Sequence, residues 1–378
     1  MNPCPKFSNV IEVILTVLLV GLQGVRIGEC RVATRLDDLE YPAISCRKHS
    51  AVLTDFGGVG DGKTSNTKAF HCAISNLSHY ASDGGALLVV PPGKWLTGSF
   101  NLTSHFTLFL QNEATILASQ DESEWPALPV LPSYGRGRDA PDGRFSSLIF
   151  GTNLTDVVIT GYNGTIDGQG SYWWDKFHKG ELKLTRPYMI EIMFSDHIQI
   201  SNLTLINSPS WFVHPIYSSD IIIQGLTILA PVDSPNTDGI DPDSCSNTRI
   251  EDCYIVSGDD CVAVKSGWDD YGIKFGMPSQ HIIIRRLEYN VTYSARLEGI
   301  DNDPFTGICI SNVTIHSGEK KLQWNCTDIE GVSSNVYPKP CELLPQKEEK
   351  IACPYPDDKV PIESVQLKTC SFESVSYF

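Results

Sequence analysis

HIQISNLTL (197–205), DIIIQGLTI (220–228), TRIEDCYI (248–255), HIIIRRL (281–287) and GICISNVTI (307–315) are five versions of one phrase. Each enters from a polar turn, runs through β-branched aliphatics and leaves through a small or polar turn. Aligned on Ile200, Ile223, Ile250, Ile284 and Ile310, the phrase recurs at steps of 23, 27, 34 and 26 residues. A short strand repeated with a period in the twenties marks a solenoid, whose repeats bury their apolar faces only against their neighbours. A β-sandwich also contains many short strands, but one face of each is wetted, so its strands alternate. Near-continuous Ile and Val fits parallel strands buried more fully. The expectation is an all-β chain wound as a single parallel β-helix, with one strand per phrase. DVVITG (156–161) is an earlier member of the series. Helical periodicity is weak after about residue 80, and SNTKAFHCAISNLS (65–78) is the one good helix signal, expected to cap the open end of the coil.

Two acidic segments fall inside this repeat: SPNTDGI (234–240) and SGDDC (257–261). Asp238 and Asp259 are 21 residues apart, close to one coil, and side chains one coil apart lie above one another. Asp238, Asp259 and Asp260 are therefore expected to share one surface. Crowded carboxylates divide labour: one pKa rises and that group serves as an acid, while a neighbour stays ionised as a base. Cleaving a glycosidic bond needs that division. Asn-Thr-Asp-Gly alone is ordinary turn chemistry, and the pair Asp259-Asp260 carries more weight. Successive strand residues point to opposite faces, so Gly258 is expected to supply the irregular backbone that turns both toward one cleft. Lys265 either contacts a substrate carboxylate or screens the aspartates. His214 and His281 adjoin apolar runs and read as structural; Trp173 and Trp174 read as packing beneath a loop. Cys245, Cys253 and Cys261 recur every eight residues without a CxxC or histidine pattern, so disulfides or buried thiols are preferred to zinc.

The 378 residues are 41% hydrophobic and carry a net charge of −16. No run of Lys or Arg interrupts that balance, which excludes a nucleic-acid partner. Residues 1–30 read as a secretory signal, with Lys6 before an apolar stretch at 10–21. An uncleaved signal anchor is the alternative, although the stretch is short for a membrane span. Eight N-x-S/T sequons (Asn76, Asn101, Asn153, Asn163, Asn202, Asn290, Asn312 and Asn325) and ten cysteines beyond the leader fit a secreted, glycosylated, disulfide-bonded chain. The expected division is leader 1–30, β-helix 31–345 and a Cys-containing tail 346–378. Cys326, Cys341, Cys353 and Cys370 are expected to staple that tail.

The two acidic motifs, with FGGVGDGKTSNTKAF (56–70), GTIDGQGSYWW (164–174), RPYMIEI (186–192) and SPSWFVHP (208–215), resemble the polygalacturonases, the pectin-degrading glycoside hydrolases of family 28. SGWDDYGIKFGMPSQHIIIRRL (266–287) is similar to the plant subgroup, and the resemblance runs from about Cys46 to the C-terminus. It implies a right-handed parallel β-helix that hydrolyses α-1,4-galacturonan with inversion, as a monomer in the extracellular space or cell wall. It implies no cofactor, no metal, and no membrane partner unless the leader stays uncleaved. Asp259 would be the general acid. Asp238 and Asp260 would position and deprotonate water, with acid and base about 6.5–9.5 Å apart. Asn236 and Lys265 would bind substrate. One part of the family pattern is missing. Neither a Gly-His-Gly segment, or its serine- and glycine-rich equivalent, nor an Arg-Ile-Lys triplet follows the aspartates, and HIIIRRL passes directly into EYNVTYSARLEGIDNDPFTGICISNVTI (288–315). That is the pattern of an internal deletion of roughly three or four coils near Leu287 and Glu288. It shortens the solenoid relative to the family and predicts weak or absent activity. The alternatives are an inactive pectin-binding wall protein and, last, a pectate-lyase-like enzyme. A lyase needs calcium ligands and an Arg or Lys base, and the sequence places no such base near the aspartates.

Overall fold

The computed structural model describes residues 47–290, 296–299, 302, 304–316, 324–347, 362 and 365–367. The leader, Cys46, Cys353 and Cys370 lie outside them. Among the described residues the strands are parallel apart from one short antiparallel pair, Ala127–Leu128 with Arg144–Phe145. The five aligned isoleucines are register partners: Ile200 faces Ile223, then Ile250, Ile284 and Ile310 in turn. None is more than 4% exposed. The column continues backward through Ile159, Leu108 and Leu88. Burying an aliphatic side chain of this size contributes roughly 1.5–3 kcal/mol, and the repeat does so once per coil. Parallel crossovers of this kind wind right-handed.

Most of the aliphatic phrases hold two strands where one was expected. Asp196–Ser201 is followed by Leu203–Ile206, Ser219–Gln224 by Thr227–Leu229, and Ser246–Glu251 by Tyr254–Val256. The bend between them holds a left-handed residue: Asn202 (φ 54), Gly225 (φ 65) and Asp252 (φ 56). Asn, Asp and Gly tolerate that conformation at least cost. Arg286 (φ 53) takes the same corner one coil later, held by ion pairs to Glu251 at 2.8 Å and Asp252 at 2.6 Å. A second left-handed corner contains Asp156, His197, Asp220, Asn247 and His281. His281 is thus a corner residue of the coil.

A third face of the coil consists of Phe100–Asn101, Ile149–Thr152, Ile190–Met193 and Val213–Ile216. It is carried further by single bridges: Val213 faces Ile240, which faces Val262, and Ile216 faces Asp243, which faces Lys265. Across Leu287 and Glu288 the first two faces remain continuous, because Gln280–Arg285 and Glu288–Asn290 both pair with Phe305–His316. The third face does not. Among the described residues nothing pairs Val262 or Lys265 with Arg296–Glu298, which pairs instead with Asn325–Thr327 as a separate two-stranded sheet.

The expected helix forms at Thr67–Leu77 and lays Phe70, Ala73, Ile74 and Leu77 over the first coil, where Phe70 stacks on Phe100 with ring centres 4.3 Å apart. Ser171–Lys179 and Asp269–Phe275 are helices that the sequence periodicity did not show. Trp173, on the former, is fully buried against Trp125, Phe145 and Tyr172. Cys326 is bonded to Cys341, while Cys245, Cys253 and Cys261 are buried free thiols. Part of the tail docks on the coil: Ile362 packs on Ile222 and Ile283, and Arg249 Nη1 donates to the Ile362 and Val365 carbonyls at 2.7 and 2.8 Å.

Candidate active site

The bridge between Ile240 and Val262 sets the local step at 22 residues, so Asp238 lies over Asp260, with Asp259 one place earlier. The Gly239 N–H donates to the Asp260 carbonyl at 2.8 Å, and the Phe212 N–H donates to the Asp238 carbonyl at 2.9 Å. Both acidic segments are tied by short polar contacts. The Thr237 and Ser234 hydroxyls are 2.6 Å apart, the Gly258 N–H donates to Thr237 Oγ1 at 2.9 Å, and Ser257 Oγ donates to the Asp259 carbonyl at 2.9 Å. Gly258 is required for a reason other than the irregular backbone expected of it. Its φ is not positive, but an added Cβ would lie 2.0 Å from the Ser234 carbonyl oxygen. The glycine permits the two acidic segments to touch.

This packing brings one carboxylate oxygen from each of Asp238, Asp259 and Asp260 within 4.8 Å of the others. A triangle of that size has its corners about 2.8 Å from its centre, the hydrogen-bond distance of one water touching all three. Between nearest oxygens the spacing is tighter than the 6.5–9.5 Å expected of an acid–base pair.

The three are not equivalent. Asp238 is 4% exposed, and its Oδ1 is buried without a hydrogen-bond partner. Asp259 is half-buried; burial raises its pKa first and the Asp238 charge raises it further, while Lys265, the Asp260 N–H and Arg138 pull the other way. Asn236 Nδ2 reaches Asp259 Oδ2 at 3.5 Å. Asn236 is itself gripped from behind, where the fully buried Arg186 donates to Asn236 Oδ1 at 2.7 Å and pairs with Asp139 at 2.8 Å. Asn236 is thereby fixed against Asp259.

Lys265 lies 3.5 Å from Asp238 and 2.8 Å from Asp241. The latter approach is close enough for an ion pair, yet neither Asp241 oxygen accepts a well-aligned hydrogen bond. Burial raises the Asp241 pKa to about 8, with Lys265 opposing and Asp238 adding to the shift. For Lys265, burial acts to lower the pKa, but Asp241, Asp238 and Asp260 outweigh it and the net shift is upward. With Asp241 protonated, Lys265 is an ammonium that faces the charges of Asp238 and Asp260. Lys265 thus stands against the aspartates, as one of its two expected roles requires, and its upward shift makes it a poor base. His214 is fully buried between Glu191 (3.1 Å) and Asp243 (3.4 Å), where it supports the floor of the site.

Sequence reasoning missed Asp241, Arg186 with Asp139, and Arg138. Arg186 stood within a quoted motif, but nothing in the sequence tied it to Asn236.

The family model for glycosyl hydrolases family 28 matches residues 90–280, which include all three aspartates and end before Leu287. A probable polygalacturonase of Vitis vinifera is 52% identical over 98% of this chain and 95% of its own length. The chain belongs to glycosyl hydrolase family 28. The grape alignment runs over 471 positions against 378 residues here, so it opens gaps in this chain. A polygalacturonase of Chamaecyparis obtusa is 33% identical over 59% of this chain and 41% of its own. Among solved structures, an exopolygalacturonase from Thermotoga maritima superposes with a TM-score of 0.59 at 24% identity, covering 77% of this chain and 81% of that one. A polygalacturonase from Erwinia carotovora gives 0.55 at 20%, covering 81% and 96%. These two show the fold, a right-handed parallel β-helix.

Proposed function

We propose that this family 28 chain is a polygalacturonase, hydrolysing α-1,4-galacturonan with inversion. The three clustered carboxylates carry the reading, because burial and then the Asp238 charge raise the pKa of Asp259 and so favour its protonated form. Asp259 delivers that proton to the leaving glycosidic oxygen. Asp238 and Asp260 hold a water and accept its proton as it attacks the anomeric carbon, so the bond to the leaving sugar breaks while the bond to water forms. No Arg-x-Lys triplet follows the aspartates, so turnover is expected to be slow. Elimination is the less favoured chemistry: its base must be deprotonated, and the carboxylates around Lys265 keep that amine charged. Product analysis of digested polygalacturonate tests this, with saturated reducing ends expected. Unsaturated, ultraviolet-absorbing ends would establish a lyase.

The reading includes a monomeric protein secreted to the cell wall with residues 1–30 removed. Its support is the leader pattern and the sequons, of which Asn101, Asn153, Asn163, Asn202, Asn312 and Asn325 are exposed. Expressed in plant cells, the protein should reach the medium or wall and lose mass on deglycosidase treatment. A cytosolic product of unchanged mass would contradict it.

A further inference from the structure

Eight arginines have described side chains, and six of them hold a carboxylate partner: Arg47, Arg144, Arg186, Arg249, Arg285 and Arg286. Among the described residues Arg136 and Arg138 form no ion pair, and they differ in setting. Arg136 is exposed and stacks on Trp268. Arg138 is half-buried, with Nε sealed from solvent and without an acceptor. Its guanidinium lies 4.3 Å from the ring centre of Trp211 and 5.8 Å from that of Tyr188, and its Nη2 donates to Ser210 Oγ. Asp139 and Asp238 favour its charge from outside ion-pair range, but neither takes up the fork, and the unpartnered Nε leaves it able to pair with an anion that arrives.

Its position says which anion. Ser210, Trp211 and Phe212 lead into the third-face strand Val213–Ile216, and the Asp238 segment is bonded to them: Ser210 Oγ donates to the Asn236 carbonyl at 3.3 Å, and the Phe212 N–H donates to that of Asp238. Arg138 thus flanks the aspartates one coil away. Trp211 also lies 4.7 Å from Lys265 Nζ, but Lys265 already serves Asp241 and Asp238. Stacking on Trp211 fixes the plane of the Arg138 fork, and a fixed fork is suited to gripping a carboxylate with two parallel hydrogen bonds.

We propose that Arg138, held on Trp211, is the substrate-carboxylate clamp of this site, binding a galacturonate carboxylate beside the scissile bond. The inference rests on the polygalacturonase reading and adds to it a specificity-determining residue outside the acidic motifs. The clamp supplies from the upstream side the kind of contact that the absent Arg-x-Lys triplet would make, and it makes the site prefer free acid to methyl ester.

Calorimetric titration tests this on the full chain carrying Asp259→Asn, so that nothing is turned over, using trigalacturonate and its full methyl ester. Arg138→Gln should weaken trigalacturonate binding roughly 10- to 100-fold while leaving ester affinity within about twofold. Arg138→Lys, which keeps the charge but loses the fork, should fall between. Undiminished trigalacturonate affinity in Arg138→Gln, or acid and ester lost in equal measure, overturns the clamp. If Arg138→Gln fails to fold, Arg138→Lys decides, since an unchanged preference for acid over ester there has the same force. A parent that binds trigalacturonate with Arg138 irrelevant sinks this inference alone; a parent that binds neither ligand sinks the polygalacturonase reading as well.

Discussion

At the scale of single residues, the site is a balance of charges in which only some can ionise together. Asp241 shows this most plainly, because burial pushes its pKa from an ordinary 3.8 to about 8. Between those values the folded chain holds a proton that the unfolded chain has released. Folding therefore takes up a proton across that window, and stability falls as pH rises through it. Asp241→Asn replaces the protonated acid with a neutral group of the same shape and should flatten this trend. Thermal unfolding midpoints followed from about pH 4 to about pH 8 should decline less steeply in the variant than in the parent. Parallel declines would show that Asp241 is ionised throughout and that Lys265 neutralises it fully. Asp259 shifts in the same direction for the same first cause, burial, which suits the proton donor proposed for the reaction.

At the scale of elements, the acidic segments work because two turns touch. The contact passes through Gly258, whose missing side chain leaves room for the Ser234 carbonyl. Gly258→Ala must push the turns apart; a cost of about 1–3 kcal/mol in denaturant unfolding is expected, together with a larger loss of activity as Asp259 and Asp260 leave Asp238. Unchanged stability and activity would mean that the Ser257–Cys261 turn is not what aligns the acids. The elements also show what a sequence can and cannot display. The isoleucine column was legible because one buried aliphatic per coil is a repeating physical demand. The splitting of each phrase was not, since a single left-handed Asn202, Gly225 or Asp252 leaves the aliphatic pattern almost unbroken. The helices Ser171–Lys179 and Asp269–Phe275 are too short for periodicity to register. In the site, the three aspartates announced themselves by spacing. Arg138 and Arg186 reach it from loops far upstream, where spacing carries no information.

At the scale of the whole molecule, a solenoid is a sum of neighbouring interfaces, so an altered interior survives where the new neighbours still stack. Two faces meet that condition across Leu287 and Glu288; the third, beside which the aspartates lie, has no pairing beyond Lys265 among the described residues. The chain thus keeps the acid cluster, and no Arg-x-Lys triplet follows it. Each missing charge-assisted contact to a sugar carboxylate removes roughly 1.5–3 kcal/mol, about a factor of ten or more in each case. Proton transfer remains. The direct test is reducing-end release from polygalacturonate by the purified full chain, run beside Asp259→Asn. The account predicts slow release that falls a further 10²–10⁴-fold in the variant. Release equal in the two proteins, or none from either, would contradict it.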